Sequence, residues 1–376
     1  MSKNIVILGN ASTIFIYNYC KEVLCDGYNV IIISFGDGSI YKNRYQDLGI
    51  KILSRPLKKD LLSLKPDALR QYWCILKEFK NKEIDALHVH YVNIKELLLL
   101  VPLWNKARRR ILTFWGSDLF EGTKSKLFSK YFIRTSTKCV LMIEQNKKKF
   151  FELFGVKFAN KIDIIDFGNN NLPYIDCKLE GVVNLERDRG ERFYVHIGYN
   201  AAKNQNHKEI IKAISMLDKD IKRRVICILP MNYSKPNDYT DYKKELCDLL
   251  TDNEIDYYIE EKFLEGEDLA AFRCSADLFV LGHLTDARSQ SPLEYVYAKV
   301  PFLCKMEVSC NYNEICMGHD DGYIVYDDYS EIADHVSNFI KGKYELNSDD
   351  MEERKKKIRH DCSWDSYREE WRKLYE

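Results

Sequence analysis

LFVLGHLTDARSQSPLEYVYAKVPFLC, residues 278–304, decides the fold. Its first four residues are apolar and run into Gly282, which suits a short buried strand. A polar loop leads to Ser291-Pro292, where a serine can cap a helix and a proline fits its first turn. After Val300-Pro301, residues 301–304 read as a second strand. Strand, loop, helix and strand in this order are the unit from which parallel sheets are wound. The loop delivers free backbone N–H groups to a helix N-terminus, a natural place for a phosphate. Asp286 stands before that loop and Glu294 in the first helical turn.

The same alternation extends outward. Residues 4–8, 29–34, 86–90, 110–114 and 139–143 read as strands, and a second series follows at 193–197, 224–229, 256–259, 278–281 and 301–304. The order restarts at 193–198, where a strand ending in Gly198 repeats the pattern of 5–8 ending in Gly9. Residues 168–192, rich in Gly, Asn and charge and containing Pro173, suit a linker. The chain of 376 residues exceeds the size at which a single core usually splits. We therefore expect domains at 1–175 and 190–360. In 361–376, Trp364, Tyr367, Trp371, Leu374 and Tyr375 form an apolar stripe on one further helix.

Charge and composition narrow the class. With 45% hydrophobic and 30% charged residues, neither disorder nor a fibrous class is indicated. The net charge of zero conceals an asymmetry: residues 1–180 hold 29 Lys and Arg against 18 Asp and Glu, and the remainder holds 28 against 39. Most of the basic excess lies in 101–161, in Arg108-Arg109-Arg110, Lys124, Lys126, Lys130, Arg134, Lys138 and Lys147-Lys148-Lys149 beside Phe150, Phe151 and Phe154. A solvated helix face accounts for the charges alone. Interleaved aromatics favour an anionic membrane surface, whereas the absence of a recognised nucleic-acid motif argues against nucleic acid. No secretory signal is read at the start, and no apolar run approaches the ~18–20 residues of a spanning helix. Twelve cysteines without CxxC or His at ligand spacing read as reduced thiols, with no metal site expected.

Residues 278–304 resemble the signature of the retaining glycosyltransferases of family 4: two acids with seven residues between them, then a small residue and Val-Pro before a strand. Here the first acid is Asp286 instead of Glu. The resemblance implies that Glu294 holds a nucleotide ribose and that Asp286 lies near the sugar hydroxyls. It assigns the diphosphate and sugar to the loop and helix start, including Arg288, Ser289, Gln290, Ser291, Pro292 and Leu293. The upstream stretch EGEDLAAFRCSADLFV, residues 265–280, resembles the helix that ends in an Ala-Asp pair in that family. In HIGYNAAKNQNHKEIIKAI, residues 196–214, the chain keeps Gly198 and Lys203 but has Tyr199 where a basic residue is expected. Lys203 is the residue implied to meet phosphate, with Asn200 among its polar neighbours. This Asn-rich loop and Trp115-Gly116-Ser117-Asp118 are closest in style to the lipid-linked acetamido-fucose transferases of bacterial polysaccharide synthesis.

The fold thus implied is GT-B: two Rossmann-like α/β domains facing a central cleft, with the C-terminal helix crossing back to the first domain. The first domain takes the acceptor, with Asn10, His90, Trp115 and Gly116 on that side and Asp118 orienting a hydroxyl. Trp115 is equally read as a packing aromatic and His90 as a core residue. The loop after the first strand lacks GxGxxG, against a dehydrogenase. The implied reaction is metal-independent transfer of a sugar, with retention, from a nucleotide-sugar donor to a saccharide acceptor, free or lipid-linked. The donor is a substrate, and no cofactor is expected. The implied setting is bacterial surface polysaccharide assembly, lipopolysaccharide or capsule, at the cytoplasmic face of the membrane. Two other readings stand beside it: a sugar-nucleotide epimerase of the same fold, and a catalytically silent relative acting as a binding partner.

Overall fold

The structure is a computed structural model that describes residues 2–34, 41–54, 66–116, 118–119, 126–182, 191–286 and 288–376. Ser117, Lys124 and Ala287 lie outside the described residues. The chain divides into two compact units, Met1–Gly168 with Trp364–Glu376, and Asn169–Ser363.

The first unit is built on a seven-stranded, wholly parallel sheet. Its strands are β1 (Lys3–Leu8), β2 (Tyr28–Ser34), β3 (Lys51–Ser54), β4 (Ala86–His90), β5 (Arg109–Phe114), β6 (Lys138–Leu141) and β7 (Ile162–Ile164), in the order β3-β2-β1-β4-β5-β6-β7. β4 is buried at every position. Alternate β1 residues feed two apolar layers, Val6 and Leu8 toward one and Ile5 and Ile7 toward the other. Helices must therefore cover both faces. The helix Trp364–Lys373 closes one of them: Trp364, Trp371, Leu374 and Tyr375 join Ile5, Ile7 and Ile32 in one cluster. Arg368 and Arg372 reach back to the carbonyls of Glu22 and Val23. The Tyr375 hydroxyl meets Tyr19 Oη at 2.5 Å and His88 Nδ1 at 2.6 Å.

The second unit has a six-stranded parallel sheet of β8 (Phe193–Ile197), β9 (Val225–Pro230), β10 (Asp256–Glu260), β11 (Leu278–Leu281), β12 (Phe302–Lys305) and β13 (Tyr323–Tyr326), in the order β10-β9-β8-β11-β12-β13. The strand order reverses between β1 and β4 in the first sheet and between β8 and β11 in the second. Crevices beyond the carboxyl ends of strands at such points are where open α/β sheets bind ligands.

Two expectations are corrected. Within 168–192, read as a linker, Leu172–Val182 is a helix whose Leu172 and Ile175 are buried in the core of the second unit. The apolar spacing of Leu172, Ile175 and Leu179 outweighs the Gly-Asn content around it. Phe150 and Phe154, placed at a membrane surface, are buried against Phe114. They sit four apart on Gln145–Phe154, so both fall on the inward face of that helix. Among the described residues the exposed rings of the basic region are Phe128 and Tyr131 on Lys126–Thr135. Among the described residues no helix is long and apolar enough to cross a membrane.

Candidate active site

In the second unit the loops after β8 and β11 meet. Gly198 leaves β8 at φ +65°, donating its N–H to Val280 at 2.9 Å, and a Cβ there would lie 2.8 Å from Gln205 Oε1. Only glycine takes both the left-handed backbone and that contact. The turn is held by Asn200 Oδ1, which accepts from Ala202 N at 2.8 Å and Gln205 Nε2 at 3.1 Å. Tyr199 is buried, and its hydroxyl meets Ser289 Oγ of the β11 loop at 2.7 Å. Burial, then the nearby Asp286 charge, push the Tyr199 phenol well up, so it stays neutral.

Asp286 anchors the second loop. It accepts from Ser289 Oγ at 2.8 Å, Ser289 N at 3.3 Å and the Tyr312 hydroxyl, while Asn311 Nδ2 donates to its carbonyl. Arg288 takes φ +60°. The following helix is Gln290–Tyr297 with Ser289 as its N-cap. The cap thus lies two residues before Ser291, which sequence reasoning had chosen, and Pro292 falls at the third helical position. Ser289 Oγ is turned to Asp286 and makes no cap bond of its own. Pro292 and Leu293 are buried, so their side chains pack inward.

Glu294 is buried at the heart of a polar network. Oε2 accepts from Arg273 Nε at 2.9 Å, and Oε1 accepts from Asn171 Nδ2 at 2.6 Å and Asn169 Nδ2 at 3.2 Å. Arg273 also donates to Tyr295 Oη at 3.0 Å and Ser291 Oγ at 3.1 Å, and Asn169 reaches Gln290 Oε1. Ser289 on Asp286 and Ser291 on Arg273 thus tie the two acids to one helix start. The ribose contact implied for Glu294 would have to share its oxygens with this network. Arg273, Asn169 and Asn171 escaped sequence reasoning; the buried position of Arg273 in FRCSADLFV was its only trace.

Lys203 begins a short turn, Lys203–Gln205, and its Nζ rests on Asp238 at 2.5 Å with both side chains about half exposed. No described contact joins it to Asp286 or Glu294. It lies four residues beyond Tyr199, at the same end of the sheet.

His283, half a turn beyond β11, was not foreseen either. It is buried beside the Tyr199 ring, with Nδ1 on the Thr285 carbonyl at 3.1 Å. Burial holds it below the usual histidine range, with Asp286 pulling the other way.

In the first unit the corresponding strand ends carry the acceptor-side set. Asp118 is buried and accepts Val92 N at 2.7 Å, Trp115 N at 2.9 Å and Gly116 N at 3.0 Å. Its carboxylate thus organises the loops after β4 and β5, while burial, opposed by those backbone bonds, pushes it up to about 6. His90, ending β4, is buried against Tyr19 and His88, and burial pulls it down to about 3. Trp115 packs against Phe15 and Phe167 at 5.5 Å each. Gly116 takes φ +113°. Asn10 turns inward on its own loop, its Oδ1 accepting from Ser12 N. Among the described residues no group of three His, Cys, Asp or Glu could hold a metal ion.

Residues 4–146 match the family model described as Glycosyl transferase 4-like. Solved structures similar over the whole chain include a glycosyltransferase from Rickettsia africae (15% identity, 100% of this chain and 98% of that one, TM-score 0.71). Anabaena HepE in complex with UDP and glucose (14%, 99% and 98%, 0.71) and a sucrose-phosphate synthase from Thermosynechococcus elongatus (9%, 99% and 98%, 0.73) are similar in the same way. The chain has the GT-B glycosyltransferase fold. Its two parallel sheets are the two Rossmann-like domains of GT-B, and their switch points carry the two residue sets above. No curated protein sequence matches the chain.

Proposed function

We propose that the chain transfers a sugar, with retention, from a nucleotide-sugar donor bound by the second unit to a saccharide acceptor bound by the first. The observation that carries this reading is the Tyr199–Ser289–Asp286 chain, which draws the β8 and β11 loops together at a helix N-terminus. That arrangement offers amides and a positive dipole end to a diphosphate, with Lys203 close by in sequence and able to leave a surface pair worth at most about 1 kcal/mol. In the reaction the bond from the anomeric carbon to the diphosphate oxygen breaks, an acceptor hydroxyl oxygen bonds that carbon, and its proton goes with the leaving nucleoside diphosphate. Stabilising the departing charge is the main catalytic device. No cofactor is called for. Anabaena HepE has been solved with UDP and with UDP-glucose, which makes UDP-sugars the first donors to try.

The setting we propose is bacterial surface polysaccharide assembly on a lipid-linked acceptor at the inner membrane face. Exposed Phe128 and Tyr131 on Lys126–Thr135 support contact with anionic lipid, although Arg108 is already paired with Glu83 and Asp85 and Lys138 with Asp163. Thermal shift against UDP-, GDP-, TDP- and CMP-sugars tests the donor half, because a ligand that binds the folded state raises its apparent stability. Stabilisation by one nucleotide class, with donor hydrolysis that falls in Asp286→Asn and Lys203→Ala, is the expected result. No shift with any of them sinks the reading. Binding to anionic vesicles that vanishes at high salt supports the membrane setting. Interconversion of donor sugars without vesicle binding points to the epimerase.

One observation favours the silent relative: Tyr199 replaces a basic residue and the Lys203 cation already rests on Asp238. Donor hydrolysis by the native chain excludes it.

A further inference from the structure

The first unit holds an aromatic box at the end of β4 and β5 that the donor site does not use. Trp115 stands at its centre, 5.5 Å from Phe15, 5.5 Å from Phe167, 6.2 Å from Tyr91 and 6.4 Å from His90. Phe15 and Tyr91 are more than a third exposed and form the rim, while Phe167 and His90 are buried. Tyr91 takes φ +63°. An aromatic residue in the left-handed region is an outlier, and such strain gathers at ligand sites.

Three polar atoms in this box are shielded from water and have no hydrogen-bond partner: Nδ1 and Nε2 of His90 and Nε1 of Trp115. Each unmade bond of this kind costs about 1–3 kcal/mol, so the box is incomplete as it stands. A neutral imidazole supplies one donor and one acceptor, and the indole a second donor. The nearby carboxylate, Asp118, is already bonded to three backbone N–H groups.

We propose that this box receives a neutral pyranose ring, one apolar C–H face against the Trp115 and Phe15 rings and its hydroxyls on His90 and Trp115 Nε1. The chemistry rules out the neighbouring classes. Among the described residues no cation lines the box, so a phosphate would find no counter-charge there. A polyprenyl chain would leave the three polar atoms unpaired. A quaternary ammonium would gain from the rings but give His90 and Trp115 nothing to bond. A sugar alone offers an apolar face and both hydroxyl donors and acceptors. Because the three atoms are shielded, it reaches them by displacing the exposed ring of Tyr91. This inference rests on the acceptor half of the proposed function and names its chemistry.

Saturation-transfer NMR on the full chain tests it, with methyl α-glucoside, α-galactoside and N-acetyl-α-glucosaminide, the octyl glycoside of each, and glucose 1-phosphate. At least one neutral glycoside should show transfer to its ring protons. Trp115→Ala should weaken binding tenfold or more, Trp115→Phe severalfold through loss of the indole N–H, and Phe15→Ala, at an exposed position, severalfold without risk to folding. Equal affinity for methyl and octyl forms identifies a free sugar as the ligand, and at least tenfold tighter octyl binding a lipid-carried one; either upholds the box. Binding of none of the neutral glycosides, binding of glucose 1-phosphate alone, or binding indifferent to all three substitutions overturns it. Nucleotide-sugar thermal shift on the same variants separates the two readings. If that shift is present while glycosides fail to bind, only the box falls. If it is absent while glycosides bind, the donor reading falls.

Discussion

Glu294→Gln should destabilise the second unit more than any other isosteric change in the donor site. Arg273 and Glu294 meet at 2.9 Å with side chains only 4% and 5% exposed, so water screens neither charge. Gln keeps the shape and leaves Oε1 to accept from Asn169 and Asn171. It turns an N–H₂ group toward the Arg273 guanidinium, however, so that donor faces donor and a buried cation loses its counter-ion. Breaking a buried pair from one side costs about 3–5 kcal/mol. For a domain the size of Asn169–Ser363 each kcal/mol moves the midpoint by roughly 2–4 °C, which gives a fall of about 6–20 °C in calorimetry without ligand. The cycle with Arg273→Met completes the test. Removing both charges should cost less than the sum of the single changes, because a buried pair replaced by apolar groups is often close to neutral. A midpoint within about 2 °C of the native one, less than the smallest fall that follows from those costs, would refute the claim of a desolvated pair, as would strict additivity in the cycle.

Lys203→Ala should leave stability within about 1 kcal/mol, since its partner Asp238 is half exposed, yet weaken nucleotide-sugar binding by roughly 10- to 150-fold, the worth of a charged hydrogen bond; calorimetric titration reads both. Gly198→Ala forces a Cβ to within 2.8 Å of Gln205 Oε1 at φ +65° and should cost about 1–3 kcal/mol in urea unfolding; an unchanged midpoint would show that the turn yields freely. Two residues of the acceptor-side set act on pH dependence in opposite senses. His90 is held down to about 3 by burial, so between there and its ordinary ~6.5 the unfolded chain binds the extra proton and stability falls as pH falls, by up to about 1.4 kcal/mol per unit. Asp118, pushed up to about 6, binds its proton first in the folded state, so stability falls as pH rises from its ordinary ~3.9 to that value. Urea midpoints from pH 4.5 to 7 should show a shallower acid loss in His90→Phe and a steeper one in Asp118→Asn; parallel curves would contradict both assignments.

Most strands that sequence reasoning found carry a continuous buried run, as Ala86–His90 and Leu278–Leu281 do, although the largely exposed edge strand Asp256–Glu260 was read as well. The three it passed over, Lys51–Ser54, Ile162–Ile164 and Tyr323–Tyr326, are all edge strands. An edge strand is covered on one side only, so its residues need not form a continuous apolar run; Ile162–Ile164 is half-buried throughout. The site divides in the same way. Asp286, Ser289 and Glu294 sit within one strand-loop-helix unit, and their spacing can be read along the chain. The partners of Glu294 cannot: Arg273 comes from the preceding helix, and Asn169 and Asn171 lie more than 120 residues away. Only packing brings them to the carboxylate. The aromatic box was legible in part, through Trp115 and His90, whereas Phe15 joins it from the helix Ile14–Tyr19 and Tyr91 and Phe167 join it from loops.

Tyr199 and Asp286, both departures from the resembled pattern, belong to one hydrogen-bonded chain. Asp286 closes onto Ser289 N and Oγ three residues on, a span that suits an aspartate; the longer glutamate would carry its carboxylate past them. Tyr199 then reaches Ser289 from the other loop, and Tyr312 reaches Asp286 from behind. The consequence falls on the helix start. Ser289 N–H is committed to Asp286 and Tyr312, and Pro292 has no N–H to give. Of the first positions of this helix, Ser289 and Pro292 therefore offer no N–H to a diphosphate. With a neutral phenol at 199, the diphosphate charge that this shortened set of amides leaves unneutralised must be met by a mobile cation. Lys203, paired with the half-exposed Asp238 and lying over the Tyr242 ring at 5.4 Å, is the side chain on this loop placed to supply it, and on the proposed reading its removal should cost more than that of any single amide contact.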